Sequence, residues 1–200
     1  MRKKTIILGV AGTALALQPA LNRWCRNWGA EENEIEGPMP GDGLIPEPGV
    51  TTTRAVSIDA PASAVWPWLV QMGSGRGGAY TYDWIENLFG LDMHSADEIL
   101  PAFQNLKVDD VLPLGPSGPP MRVAVLEPER ALVFRSEDGN WVWSFLLREK
   151  DGVTRLISRN RIDVCGAAKV FYDVVMTPAS LFMESRMLHG IRDRAELKHR

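Results

Sequence analysis

The spacing of apolar residues predicts one strand and two short helices in the first half of the chain. Residues 54–58 alternate between two faces, as a half-buried strand does. Asp59 and Pro61 then favour a helix start, because an acidic cap accepts unpaired amide groups and proline lacks only an amide that has no partner there. This first helix ends at Gly73, and residues 82–89 carry the apolar stripe of a second one.

From about residue 107 the apolar period changes to two, which predicts a run of antiparallel strands before one long helix. The strand candidates are residues 111–114, 122–126, 132–135, 141–148 and 154–163. Asp138–Gly139 and Asp151–Gly152 have the turn chemistry of β-hairpins. Residues 179–198 then carry an apolar stripe at helical spacing. This order of elements predicts an α+β domain with its helices on a curved sheet.

The residues before this domain, which begins at residue 53, fall into two predicted segments. Residues 22–52 are rich in proline and glycine, which interrupt helices and central strands, so we predict a tether. Within residues 1–21, three basic residues precede a mostly apolar stretch at 5–21. This stretch fits a short membrane anchor, which we favour, a signal peptide or a soluble helix. The predicted location is therefore at a membrane, through this segment, or in the cytoplasm.

Composition narrows the function classes. With 200 residues, 45% of them hydrophobic and 24% charged, the chain has the make-up of a globular protein with one domain and an appendage. A formal net charge of -3 gives no basis for binding nucleic acid. Cys25 and Cys165 lie far apart in different surroundings, and the three histidines lack zinc-site spacing. We therefore predict neither a disulfide framework, nor a metal site, nor a cofactor.

Three stretches of the sequence carry a resemblance to a known superfamily. They read IDAPASAVWPWLVQMG, RGGAYTYDWIENLFG and MESRMLHGIRDRAE. With the predicted element order, they make residues 53–197 similar to the SRPBCC superfamily, which includes START lipid-transfer domains and polyketide cyclases, and within it to an uncharacterised bacterial branch. The resemblance implies a helix-grip fold, in which a curved antiparallel sheet wraps around a long C-terminal helix with a hydrophobic cavity between them. It also implies binding of a hydrophobic small molecule or lipid, with catalysis in only some members.

Apolar candidates for the ligand site lie on the strand at 141–148 and on the last helix. Trp141, Trp143 and Phe145 share one face of that strand because they are two residues apart. If this face meets the helix, Met183 and Met187 lie opposite the rings. Methionine adapts to irregular space, so this set suits an apolar pocket. The alternative is an ordinary packed core that binds no ligand.

Polar candidates would orient the ligand. Arg76 lies in the glycine-rich bend Gly73–Gly78, where it would meet an anionic group or pair with a nearby carboxylate such as Asp83 or Glu86. Tyr80 and Tyr82 follow the same bend. Arg159 would bind a carboxylate if its strand face points inward, whereas a solvated strand face is the alternative.

The resulting function hypotheses belong to different classes. The first is binding, transport or sequestration of a hydrophobic small molecule or lipid in an internal cavity, with a membrane as a second partner through the N-terminal segment. The second is an enzyme of the cyclase or dehydratase type that uses Tyr82, Asp83 or His94. The third is a protein-interaction module without a ligand. The residues leave open whether the protein catalyses a reaction.

Overall fold

A six-stranded antiparallel sheet forms the centre of the computed structural model, which describes residues 18–113, 115 and 120–199. Its strands are β1 (Val50–Ile58), β2 (Val111–Leu112), β3 (Met121–Glu127), β4 (Ala131–Ser136), β5 (Trp141–Lys150) and β6 (Val153–Ile162). They lie in the order β1-β6-β5-β4-β3-β2, so the first strand pairs with the last along its whole length. The predicted run of strands is confirmed, and β6 lies between β1 and β5.

The turn between β5 and β6 shows how the sequence sets the register of the sheet. Asp151 and Gly152 both have positive φ angles, of 53° and 80°, as a two-residue hairpin turn of type I′ requires. The turn therefore pairs Lys150 with Val153 and, at the far end of the hairpin, Trp141 with Ile162. This register directs Trp141, Trp143 and Phe145 to one face, which we call the inner face.

Helices lie on that inner face, as the helix-grip prediction requires. Two short helices, α3 (Ala62–Val70) and α4 (Asp83–Leu88), follow β1. After β6 come α5 (Gly166–Phe171), a π-helical turn (Tyr172–Met176) and the long α6 (Thr177–His199). The α+β helix-grip class is therefore confirmed, and the helical region after β6 begins earlier than the predicted residue 179.

The main core lies between α6, α3 and the inner face. Leu188, Ile191 and Ala195 of α6 are fully buried with Val65 and Leu69 of α3. Gly190 permits this close approach. A Cβ atom at that position would lie 2.4 Å from the backbone oxygen of Tyr80, so α6 has no room for a larger residue there.

The outer face of the sheet is covered by the segment that we predicted as a tether, and this differs from the prediction. Residues 18–26 are helical (α1), and α2 (Glu32–Glu36) and a short 3₁₀ turn (Asp42–Leu44) follow. Met39 and Ile45 are buried against two small apolar clusters on the outer face. Proline and glycine do prevent long regular elements here, but they do not prevent packing.

Glycine makes this packing possible at residue 29. Its φ angle is +74°, and a Cβ atom would lie 2.2 Å from the backbone oxygen of Ala55 in β1. The amide of Ala55 in turn donates a hydrogen bond to the backbone oxygen of Trp28. The segment therefore lies directly on the sheet, and the glycine content that indicated a tether marks close backbone contact instead.

Most of the predicted N-terminal anchor, residues 1–17, lies outside the described residues. Across the ranges that the structure describes, no helix is both long enough and apolar enough to cross a membrane. Residues 18–21, the end of the predicted anchor, belong to α1.

Candidate functional site

A cavity of about 330 Å³ lies between α6 and the inner face of the sheet, where β1, β6 and β5 are neighbours. Its apolar wall includes Val50, Trp141, Trp143, Ile162, Met183 and Met187. Its polar wall includes Thr52, Thr81, Glu86, Asn160, Ser180 and Glu184. A smaller cavity of about 30 Å³ adjoins it at Ala79 and Trp143, which line both. The space suits a small apolar molecule with a few polar contacts.

A buried ion pair between β1 and α6 supports one side of this cavity. Arg54 is fully buried, and its guanidinium group binds the carboxylate of Glu184. The same guanidinium donates to the backbone oxygens of Cys25 and Thr177, at 3.1 and 3.2 Å, and to the hydroxyl of Ser180 at 3.0 Å. All three of its nitrogen atoms therefore have partners in the protein, and the carboxylate of Glu184 balances its charge.

The two tryptophans are held by the same polar network. The indole nitrogen of Trp143 donates to Ser158 at 2.9 Å, and Ser158 donates to Glu184 at 2.5 Å. The indole nitrogen of Trp141 donates to Asn160 at 2.9 Å, and Asn160 donates to Glu184 at 3.3 Å. The rings stack with centroids 5.8 Å apart. Because their N–H groups are used by the sheet, the rings offer the cavity only their carbon surfaces.

Glu86 of α4 differs from the rest of the polar wall. Its side chain is 8% exposed, and within the described part of the chain its Oε2 atom has no hydrogen-bond partner. Burial raises the pKa of Glu86, the nearby Asp83 carboxylate adds to the rise, and a hydrogen bond from the Thr81 hydroxyl opposes it. The cavity wall thus contains a buried carboxyl group with one unused oxygen, next to the hydroxyl that supports it.

Solved structures match this architecture, although no protein-family model and no curated protein sequence matches the chain. The NMR structure of the KanY protein aligns with 74% of this chain and 97% of its own, at 15% sequence identity and a TM-score of 0.50. This chain has the SRPBCC-type fold.

Two further SRPBCC-type likenesses have lower TM-scores. A polyketide-cyclase-like protein from Corynebacterium glutamicum is 17% identical and covers 78% of this chain and 97% of its own, with a TM-score of 0.42. The Aha1 dimer from Colwellia psychrerythraea is 13% identical and covers 74% of this chain and 97% of its own, with a TM-score of 0.44. At such identities the likeness concerns the fold alone.

The SRPBCC-type arrangement brings some of the predicted ligand-binding residues together. Trp141, Trp143, Met183 and Met187 line the cavity. Phe145 is fully buried one layer behind, with its ring centroid 4.8 Å from that of Trp143. The predicted meeting of this strand face with α6 therefore occurs in the structure.

Tyr80, Tyr82 and Arg76 do not line the cavity, and each makes other contacts. The Tyr80 hydroxyl donates to the backbone oxygen of Trp68 at 2.9 Å, and burial raises the pKa of Tyr80. Tyr82 stacks on Phe182 of α6 at 4.8 Å. Arg76 donates to the backbone oxygens of Val70, Met72 and Phe103, which holds the glycine-rich bend closed. Arg76 therefore pairs with neither Asp83 nor Glu86, the two carboxylates that we predicted as alternative partners to a ligand.

Arg159 lies on the outer face, away from the cavity. Its guanidinium group is 2% exposed and binds Asp42 at 2.8 Å and the backbone oxygens of Glu34, Ile35 and Gly37. The predicted alternative, a solvated strand face, is wrong because the N-terminal segment covers it. Burial lowers the pKa of Arg159, and the Asp42 carboxylate opposes this effect.

The residues proposed for catalysis also have structural contacts. Asp83 accepts hydrogen bonds from the amide and hydroxyl of Ser95, at 2.7 and 2.5 Å. The side chain of His94 is 76% exposed and lies 3.1 Å from Asp92. None of the described residues forms a cluster of histidine, cysteine or carboxylate groups suited to a metal ion.

Sequence reasoning missed Glu184, although a signal for it exists. Glu184 follows Leu181 by three residues and precedes Leu188 by four, so helical spacing places its carboxylate on the apolar stripe of α6. A charge on a buried stripe needs a partner, and period two places Arg54 on the same face of β1 as Val56 and Ile58. Glu86 had no comparable signal, because its burial depends on how α4 meets the cavity.

Proposed function

We propose that this protein binds a hydrophobic small molecule in the cavity between α6 and the sheet. The supporting observation is the cavity itself, about 330 Å³ with a wall of stacked indole rings and methionines. Ligand pockets begin at about 300 Å³ and are mainly apolar with a few placed polar groups. Burial of apolar ligand surface, at about 25 cal/mol per Å², would supply most of the binding free energy.

The cavity favours binding over the two alternative functions. A protein-interaction module needs no internal space, and protein interiors are otherwise packed nearly without voids because each void loses dispersion contacts. A cyclase or dehydratase would need Tyr82, Asp83 or His94 at the reacting atoms, yet none of the three lines the cavity. Tyr82 stacks on Phe182, Asp83 holds Ser95 and His94 is exposed. We therefore propose binding, with sequestration or transport as its role, and no reaction.

Filling the cavity tests this proposal. Ala79 lines both the large and the small cavity, so Ala79→Phe is expected to weaken uptake of the apolar fluorophore N-phenylnaphthylamine at least about tenfold, which corresponds to about 1.4 kcal/mol. The measurement is a fluorescence titration of the full-length protein. Ala102→Phe is the matched control, because Ala102 is exposed in the turn Pro101–Phe103.

Two outcomes would contradict the proposal. One is a wild-type protein that takes up no fluorophore and carries no small molecule in native mass spectrometry. The other is equal uptake by the Ala79→Phe and Ala102→Phe proteins, which would place the bound fluorophore outside the cavity.

We further propose that the ligand enters from a lipid surface, because apolar side chains are exposed on the segments that border the cavity. Trp84, Leu88 and Phe89 are each at least 70% exposed on and just after α4, which also supplies Glu86 to the wall. A second exposed set on α5 and the π turn comprises Val170, Phe171, Val174 and Val175. Arg26 and Lys169 both bind Asp173, which joins α1 to this second segment. The apolar stretch predicted as an anchor, residues 5–21, ends within α1.

Removing the first exposed set tests entry from a lipid surface. The triple variant Trp84→Gln, Leu88→Gln and Phe89→Gln is expected to slow transfer of N-phenylnaphthylamine from the protein to phosphatidylcholine vesicles about tenfold. Burying about 60 Å² of apolar surface is worth about 1.5 kcal/mol, which gives this magnitude. Leu197→Gln is the control, because Leu197 is 70% exposed on the last turn of α6. Equal transfer rates in the triple variant and this control would refute entry through α4.

A further inference from the structure

Glu86 gives the cavity wall hydrogen-bonding capacity that the protein itself does not use, and Thr81 lies beside it. Within the described ranges, the Oε2 atom of Glu86 is buried without a hydrogen-bond partner, while the Thr81 hydroxyl contacts the same carboxyl group. A buried polar atom without a partner is unfavourable, and the penalty is removed when a ligand supplies the missing bond. Both residues line the same cavity. The pair therefore indicates where the polar group of a ligand would lie.

The buried side chains of Thr52, Asn160 and Glu184 in the wall are already paired, which leaves Glu86 as the buried point where a ligand finds an unused acceptor. Glu184 binds Arg54, Ser158 and Asn160. The side chains of Ser158 and Asn160 also accept from the two tryptophans. A ligand thus meets carbon surface over most of the cavity and a polar pair at Glu86 and Thr81.

We infer that the cavity takes an uncharged apolar molecule with one hydroxyl group, which donates a hydrogen bond to the unused Oε2 atom of Glu86. This inference rests on the proposed binding function and names its ligand class. A hydroxyl group both donates and accepts, as the hydroxyl of Thr81 does. It can also pair with Glu86 whether that carboxyl is protonated or ionised. A carbonyl oxygen only accepts, so it would leave an ionised Glu86 without a donor.

Charge in the wall acts against carboxylic acids. Glu86 and Glu184 both present carboxyl groups to the cavity, and the guanidinium group of Arg54 is paired with Glu184 and with other groups of the protein. An ionised carboxylate would enter an apolar space beside two acidic groups with no free cation on the cavity wall, as far as the structure describes it. A fatty acid is therefore a poor ligand, whereas a fatty alcohol of the same length is a good one.

Competition between ligands of equal chain length tests this inference. Decanol, decylamine, methyl decanoate and decanoate would each displace N-phenylnaphthylamine from the full-length protein at neutral pH. We expect decanol to bind at least about tenfold more tightly than decanoate and than methyl decanoate, because a hydrogen bond to the buried carboxyl group is worth about that factor. Tighter binding of decylamine than of decanol would show that an ammonium group is the true partner of Glu86 and would overturn the hydroxyl assignment.

Variants at the polar pair then locate the effect. Glu86→Leu is expected to reduce the preference for decanol over decanoate about tenfold, since the alcohol loses a partner and the acid loses a repelling neighbour. Thr81→Val, which keeps the side-chain shape, should reduce it by about threefold. Glu98→Leu is the control, because Glu98 is an exposed carboxylate outside the cavity wall. Glu86→Leu should melt at or above the wild-type temperature, because it removes a buried carboxyl group with one unused oxygen.

The outcomes separate this inference from the proposed function. Uptake of N-phenylnaphthylamine that is blocked by Ala79→Phe, together with equal affinities for decanol and decanoate, would overturn the hydroxyl assignment and leave cavity binding intact. The same result would follow from an unchanged preference in both Glu86→Leu and Thr81→Val. Absence of uptake of the fluorophore and of all four competitors would refute the proposed function itself.

Discussion

Replacing Glu184 by leucine is expected to lower the free energy of unfolding by about 3–5 kcal/mol, the range for breaking one partner of a buried ion pair. Arg54 is fully buried, so its guanidinium group would keep its charge in the core without the carboxylate that balances it. Ser158 and Asn160 would lose their acceptor at the same time. Urea unfolding of the full-length protein, followed by circular dichroism, measures the change.

A double-mutant cycle shows whether the pair itself causes this loss. We expect Arg54→Met combined with Glu184→Leu to cost less than the sum of the two single changes, by about 0.5–3 kcal/mol, because no buried charge is left unpaired. Glu32→Leu is the matched control. Glu32 pairs with Arg23 at 2.8 Å, but their side chains are 60% and 69% exposed, so its loss should cost at most about 1 kcal/mol. Additive single effects would show that Arg54 and Glu184 act independently.

The same network links stability to the proposed site. Glu184 accepts from the side chains that hold the indole groups of Trp141 and Trp143, so a change at Glu184 releases both rings. Rings held in this way present a fixed apolar surface, which limits the side-chain entropy lost on ligand binding. The ion pair is therefore a structural support of the cavity wall, and its charge is not available to a ligand.

Much of the fold was predictable because local chemistry and global topology agree. The Asp–Gly turns, the alternating strands and the apolar stripe of the last helix each specify one element, and their order leaves few ways to cover the sheet. The start of the last helical region was less predictable. Its first part, α5 and the π turn, has exposed apolar residues such as Val170 and Val174, so no single buried stripe indicates its bounds.

The candidate site was predictable only in its apolar half. Residues two apart on a strand share a face, so the sequence indicated that Trp141 and Trp143 lie on one face, but the meeting of this face with α6 entered only as a condition. A polar residue offers no such rule, because its role depends on which group lies opposite it in the folded chain. Arg159 is an example. The alternation of residues along β6 places it on the same face as Arg155, but this alternation does not indicate that residues 34–42 cover that face.

Replacing Arg159 by methionine is expected to lower the free energy of unfolding by about 3 kcal/mol and to loosen the N-terminal segment from the sheet. The value is at the lower end of the range for broken buried pairs, because Asp42 keeps a contact with Arg161 and is 22% exposed. Three backbone oxygens, of Glu34, Ile35 and Gly37, would also lose their donor. Chemical unfolding measures the first effect, and limited proteolysis between residues 28 and 46 measures the second.

Ligand binding distinguishes this structural role from the role first predicted for Arg159. Because its guanidinium group lies on the outer face, Arg159→Met should leave the preference of the cavity for decanol over decanoate unchanged at temperatures where the variant is folded. Arg122→Met is the control for stability: Arg122 pairs with Glu137 at 2.9 Å, but both side chains are more than 40% exposed, so its loss should cost at most about 1 kcal/mol. A stable Arg159→Met protein with altered ligand preference would show that Arg159 acts on the ligand and does more than hold the N-terminal segment on the outer face.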